Sequence, residues 1–182
     1  MSGVLVAVVG PSGAGKDTLM EAARAARARD ERITFIRRTV TRPAEAGGED
    51  HLPLTREAFL QARDAGGFAL WWEAHGLLYG LPRAALEGAL AAGRTAVANL
   101  SRRALEQAAA HHPLRVLEIT ASPAILAARL AARGREGAAD VARRLARQAP
   151  LPSGLPVETV MNDGSVAEAA AQVVRVLRGS RA

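Results

Sequence analysis

The residues best suited to chemistry are Gly10-Pro11-Ser12-Gly13-Ala14-Gly15-Lys16-Asp17-Thr18. They meet the spacing G-x-x-x-x-G-K. They follow the apolar run Val4-Leu5-Val6-Ala7-Val8-Val9 and precede the helix-like Leu19-Met20-Glu21-Ala22-Ala23. A glycine-rich turn between strand and helix is the setting a phosphate-binding loop requires. The glycines let successive N–H groups point inward at phosphate oxygens, and the start of the helix adds unpaired donors and a positive dipole end. Lys16 then reaches the outer phosphates as a compact cation. It is the only lysine in the chain; every other cation is arginine. The hydroxyl that usually follows the lysine is displaced by one, because Asp17 stands there and Thr18 comes next. Asp17 and Thr18 are therefore the candidate magnesium ligands, directly or through water.

Three further segments fall where predicted strands end: Arg37-Arg38-Thr39, Asn99-Leu100-Ser101 and Met161-Asn162-Asp163. In an open α/β sheet, ligands bind beyond such ends. A second arginine cluster runs Arg129, Arg133-Gly134-Arg135-Glu136, then Arg143 and Arg144. Arg129 and Arg133 are four apart and share a helix face. The glycines at 134 and 137 read as a hinge, and the stretch 129–145 as a lid that carries cations onto a transferring phosphate. The same spacing also fits a solvated helix face. Arg42 is a candidate phosphate clamp or a turn residue before Pro43. His51 and His75 sit in glycine-flanked loops with no second His or Cys at ligand spacing, so no zinc site is expected. The sequence contains no G-x-S-x-G elbow for a nucleophilic serine.

Elements that would position these residues alternate along the chain. Strands are expected at 4–9, 33–36, 95–100, 114–120 and 157–160, and helices at 16–30, 82–92, 101–111, 140–149 and from Ser165 to Leu177. Another helix follows Thr55 as N-cap and stops at Gly66-Gly67, and one opens at Ser122-Pro123 and runs to Arg133. Ser165 and Glu168 form a capping box. Phe68, Trp71, Trp72 and Tyr79 cluster in a glycine-punctuated stretch that reads as short strands of a small lobe. The pattern predicts an α/β fold of P-loop NTPase type, a parallel sheet of about five strands flanked by helices. A single domain over 1–182 is expected. Its core covers 1–36 and 80–182, its acceptor-binding lobe about 37–79, and its lid about 129–145.

At 182 residues with no cysteine, the chain needs no disulfide staple and has no thiolate chemistry. The apolar run after Met1-Ser2-Gly3 is too short to span a membrane and lacks a basic leader, so a cytoplasmic protein with no membrane association is expected. Net charge is +6, but the arginines are dispersed, and three Phe, two Trp and one Tyr are few for base stacking. Small phosphorylated ligands fit this balance better than nucleic acid.

The quoted residues carry a family resemblance. Gly10-Pro11-Ser12-Gly13-x-Gly15-Lys16, Thr41-Arg42-Pro43, Trp71-x-x-x-His75-Gly76-x-Leu78-Tyr79-Gly80, Arg129-Leu130-x-x-Arg133-Gly134, Arg144-Leu145 and Asn162-Asp163 resemble guanylate kinase, in the same order and over nearly the whole chain. The chain departs from that family where guanine is read. Leu70 stands for a glutamate, and Asn99 and Ser101 stand for aspartates. No second arginine of the phosphate clamp follows Arg42, and His51 replaces a tyrosine. A guanine site without its acids leaves N–H donors unpaired. These departures resemble a sister family, the ribose 1,5-bisphosphate phosphokinases of phosphonate breakdown. The shared residues are Lys16-Asp17-Thr18, Thr41-Arg42-x-x-x-Ala46-Gly47-x-Glu49-x-His51, Asn99-x-Ser101-Arg102, Gly134-Arg135-Glu136 and Asn162-Asp163-Gly164-Ser165.

That resemblance implies ATP and Mg2+ as cofactors and transfer of the γ-phosphoryl group to a phosphorylated ribose. It places Lys16 and the loop on the ATP phosphates, and Arg133 and Arg144 with Arg129 on the transferring group. Arg42, Tyr79, Arg102, Ser101 and His51 would hold the acceptor, and Asn162 would border the adenine. The competing expectations are a nucleoside monophosphate kinase, a non-catalytic guanylate-kinase-like interaction module, and a charge-driven nucleic-acid binder.

Overall fold

The computed structural model describes residues 3–43, 50–132 and 149–179. Its centre is strand β1 (Val4–Val9), with all six residues buried. A continuous apolar strand of this kind needs cover on both faces, which parallel sheets provide. β1 lies between β7 (Thr95–Asn99) and β8 (Leu114–Thr120), with β2 (Ile33–Phe35) and β9 (Val157–Met161) at the edges. The order is β2-β7-β1-β8-β9, and every pairing is parallel. Alternation along β1 divides the interior. Leu5, Ala7 and Val9 face one apolar cluster, and Val6 and Val8 face the other. The second cluster is closed by α1 (Lys16–Ala26) and by a C-terminal helix, α6 (Val166–Gly179). Ala169, Ala170, Val173 and Leu177 form the buried stripe of α6, at helical spacing.

A second sheet of four strands has the order β4-β3-β6-β5, with β3 (Thr39–Val40), β4 (Leu52–Pro53), β5 (Phe68–Ala74) and β6 (Leu77–Pro82). Its outer face packs Phe68 and Leu78 on Phe59 of α2 (Arg56–Asp64). Its inner face, through Leu70, Trp72 and Leu81, joins the same cluster as Leu5, Ala7 and Val9. Lobe and main sheet therefore share one core. The remaining helices are α3 (Arg83–Ala91), α4 (Leu105–His111) and α5 (Pro123–Ala132). No helix among the described residues is long and apolar enough to cross a membrane.

Several expected boundaries shift. The first helix ends at Ala26, four residues short of the expected end. Asp30 instead accepts from the backbone N–H and Nε of Arg32 and pairs with Arg27, a local side-chain bond that competes with helix continuation. Pro82 closes β6 and sits at the N-cap of α3, outside the helix. The helix expected from Ser101 begins as a 3-10 turn, Arg102–Ala104, before α4. The strands β3 and β4 were not expected at all. Each is two residues long and exists through pairing with distant chain, which no local pattern announces. The expected helix at 140–149 lies outside the described residues except for Ala149.

Candidate active site

β1 delivers the chain to the phosphate loop at Gly10, where φ is 153. A Cβ at Gly10 would lie 1.9 Å from the carbonyl oxygen of Ile119 on β8, so glycine is required for the loop to leave beside that strand. The loop ends at Gly15, left-handed at φ 84, as N-cap of α1. No side chain caps this helix start, which leaves its first N–H groups for a ligand. Lys16 Nζ donates to the carbonyls of Gly10 (2.8 Å) and Pro11 (3.1 Å), folding the ammonium back over the loop. Ser12 is exposed, whereas Pro11, Gly13 and Ala14 are buried.

A brace holds the loop from behind. Asn162, 3% exposed at the end of β9, donates Nδ2 to the Ala14 carbonyl at 2.8 Å. A Cβ at Gly15 would approach that Nδ2 to 2.6 Å. Arg129 of α5 donates Nη2 to the Asn162 carbonyl (2.8 Å) and Nη1 to that of Gly13 (3.4 Å). Asn162, expected to border the adenine, is enclosed here and its amide nitrogen faces the loop. Asp17 and Thr18 are exposed on the first turn of α1, and Asp17 Oδ1 accepts from Asn99 Nδ2 at 3.4 Å. One carboxylate beside one hydroxyl, open to phosphates and water, fits magnesium, which usually keeps several waters and few protein ligands.

The lobe supplies a second set of groups. Pairing sets Val40 opposite Tyr79 and Tyr79 opposite Trp72. Directly opposed residues share a face. The Trp72 and Tyr79 rings stack at 5.6 Å with planes 6° apart. Arg38 lies over them, its guanidinium carbon 5.0 Å from the Tyr79 ring centre and 6.0 Å from that of Trp72. Arg42 is half-buried, and its Nε is a buried donor without a partner among the described residues. His51, 5% exposed, donates Nε2 to the Arg42 carbonyl at 3.0 Å, so it fixes the backbone of Arg42 from inside. Asp50 bridges Arg37 (2.7 Å) and Arg24 of α1 (3.6 Å), tying the start of the lobe to the loop's own helix.

The expected site residues therefore divide. The phosphate loop, Asn162 and Arg129 come together; Arg42, His51 and Tyr79 gather in the lobe. Arg102 has partners of its own. It pairs with Glu118 on β8 at 2.6 Å and donates to the Ala149 carbonyl at 2.9 Å, so its charge is matched by a half-buried carboxylate. Ser101 Oγ accepts from the Arg103 N–H, which is a cap. Arg133 and Arg144, with the loop at 44–49, lie outside the described residues. Sequence reading placed Arg38 at a strand end beyond which ligands bind, without assigning it a role, and placed Trp72 in an aromatic cluster. The alternation of Arg38 with Val40, read against Tyr79, was the available signal, but it becomes legible once the pairing is known.

No family model matches the chain. Similarity to curated proteins covers it almost completely. The protein named "Ribose 1,5-bisphosphate phosphokinase PhnN" of Rhizobium etli (strain CIAT 652) is 48% identical over 180 residues, covering 97% of this chain and 90% of that one. The protein of the same name from Methylobacterium radiotolerans is 49% identical over 179 residues, covering 98% and 99%. Among solved structures, guanylate kinase from Anaplasma phagocytophilum superposes with a TM-score of 0.71 at 19% identity over 99% of this chain and 87% of that one; this is a likeness of fold.

Proposed function

This chain belongs to the ribose 1,5-bisphosphate phosphokinase family and is a kinase, and from that premise we propose its reaction: transfer of the γ-phosphoryl group of ATP to the 1-phosphate of ribose 1,5-bisphosphate. The products are ADP and 5-phospho-α-D-ribose 1-diphosphate, in a step of phosphonate breakdown. The bond from the γ-phosphorus to the ADP oxygen breaks, and a bond to an acceptor phosphate oxygen forms. That oxygen is already anionic, so the step needs no general base, and catalysis consists of positioning and charge stabilisation. The N–H groups of the phosphate loop and Lys16 hold the donor phosphates; Lys16 exchanges its two loop carbonyls for phosphate oxygens. Asp17 and Thr18 would hold magnesium, which would neutralise charge on the phosphates. Arg129 sits at the loop and supports the transferring group, a role the family resemblance extends to Arg133 and Arg144. Arg42 and Tyr79 hold the acceptor, with His51 orienting Arg42.

The observation that carries this acceptor is the state of two positions where this chain departs from guanylate kinases. Leu70 is 1% exposed within the apolar core, and Asn99 directs its amide N–H at Asp17. Neither offers a carboxylate to the N–H donors of guanine. A phosphorylated sugar without a base makes no such demand. The test is ADP release from ATP and magnesium with ribose 1,5-bisphosphate or GMP as acceptor. Turnover with the sugar bisphosphate at a kcat/KM at least about 100-fold above that with GMP is expected, the order of discrimination one unmatched polar edge provides. Preference for GMP would overturn the proposal.

A further inference from the structure

A second cluster of cations stands away from the phosphate loop. Lys16 opens α1, an 11-residue helix, and at about 1.5 Å per residue the other end of the helix lies about 15 Å away. Around that end is an open cavity of about 650 Å³, a volume typical of small-molecule sites. We propose that this cavity binds a small phosphorylated anion, at a site separate from the phosphate loop. The inference concerns binding and stands whatever the acceptor of the reaction.

The fold explains why the charges meet there. β2 is an edge strand, and its Ile33 pairs with Thr95 of β7. That register sets Arg94, the residue before β7, beside the start of β2. Arg24 of α1 has its guanidinium carbon 5.5 Å from the ring centre of Phe35 at the end of β2. Arg27 and Arg29 stand between the helix and the strand. The cavity is lined by these four arginines, by the apolar Ile33 and Phe35, and by two carboxylates, Asp30 and Glu31.

The carboxylates do not balance this set. Asp30 pairs with Arg27 and also, at 2.9 Å, with Arg32, so one carboxylate serves two guanidiniums. The ion pairs of Arg24 are loose, 3.6 Å to Asp50 and 3.9 Å to Glu21, longer than a charge-assisted hydrogen bond. Among the described residues, Arg29 and Arg94 have no ion pair. Desolvation, then the charges of Arg178 and Arg32, lowers the Arg27 pKa, which marks the field there as positive. A solvated arginine face would spread its donors into water. Here the Arg27 side chain is 12% exposed, and Arg24 and Arg27 each keep a buried Nε with no acceptor among the described residues. Buried donors are normally satisfied. Arginine forks match phosphate oxygens in pairs, and a diphosphate carries the negative charge that the cavity lacks.

The test is calorimetric titration with inorganic diphosphate in the absence of magnesium. Lys16→Met weakens the phosphate loop and leaves the cavity untouched, so this variant should still bind diphosphate. Adding Arg29→Gln and Arg94→Gln should weaken that binding at least about tenfold, the loss expected for one charge-assisted hydrogen bond. In the protein that keeps Lys16, the pair Arg29→Gln and Arg94→Gln should remove one binding site. The Tm of that double variant should not fall, because neither arginine has an ion pair to lose and like charges are relieved. Diphosphate binding unchanged by the double substitution would overturn the site, as would binding that vanishes with Lys16→Met alone. Tighter binding of a single-stranded oligonucleotide than of diphosphate through the same arginines would also overturn it, and would make the cluster a nucleic-acid surface. None of these outcomes depends on which acceptor is phosphorylated, which is read separately by ADP release.

Discussion

Asn162 shows how much of a residue's setting comes from its neighbours. The motif Asn162-Asp163 is visible in the chain, but the direction of its amide is not. Enclosure at 3% exposure and a 2.8 Å bond to the Ala14 carbonyl make it the back wall of the phosphate loop. Asn162→Ala would leave that carbonyl without its donor, at a cost of about 1–3 kcal/mol. In a chain of this size each kcal/mol lowers Tm by roughly 2–4 °C. The expected outcome is a lower Tm together with weaker ATP binding, read by calorimetric titration. A lower Tm with full ATP affinity would show that the brace stabilises the fold without shaping the loop. Lys16, Gly10 and Gly15 were legible from spacing alone, because phosphate binding imposes that local order. The pairing of Arg102 was not legible for the converse reason: its partner Glu118 is sixteen positions away, and no spacing rule announces such a pair.

Among the elements, the C-terminal helix α6 is the one whose local sequence and structure agree most fully. Glu168 Oε2 accepts from the Ser165 backbone N–H (3.0 Å) and hydroxyl (2.7 Å), and the Glu168 N–H donates to Ser165 Oγ (3.2 Å). The Ser165 hydroxyl bond, followed by its backbone N–H, holds the Glu168 carboxyl below the ordinary glutamate range. A carboxyl with a depressed folded-state pKa contributes stability above its unfolded value of about 4.3, and that contribution is lost as pH falls through the folded value. Glu168→Gln should therefore be less stable than the unaltered protein at pH 6, and the gap should close on acidification to about pH 3. Melting curves across that range check it; a gap independent of pH would remove the charge from the account. Caps of this kind are read from four residues. The strands β3 and β4 are not, since β3 pairs with Gly80 and Tyr79, and their existence depends on contacts closed late along the chain.

At the scale of the molecule, the two sheets are joined by one apolar cluster in which Leu70, Trp72 and Leu81 of the lobe meet Leu5, Ala7 and Val9 of β1. Both tryptophans, Trp71 and Trp72, lie on β5, whereas most of the described helix flanks the main sheet. Tryptophan fluorescence therefore reports the lobe, and far-UV circular dichroism reports chiefly the core. A shared cluster predicts coincident unfolding by the two probes in urea, as a cooperative transition requires. A fluorescence midpoint well below the dichroism midpoint would show that the lobe melts separately. Helix–strand alternation and the continuous burial of β1 made the parallel sheet legible, because a βαβ chain has few ways to bury such strands.

The sequence by itself determined the phosphate loop, the α/β class, the central strand and the caps. Each follows from interactions between residues close in the chain, where spacing alone sets geometry. The tertiary structure decided where these side chains lie: Arg38 over the Trp72–Tyr79 rings, His51 behind Arg42, Asn162 behind the loop, and Arg102 against Glu118. Those roles depend on strand register and on charges brought together from distant segments. One residue of register would turn each lobe side chain to the opposite face.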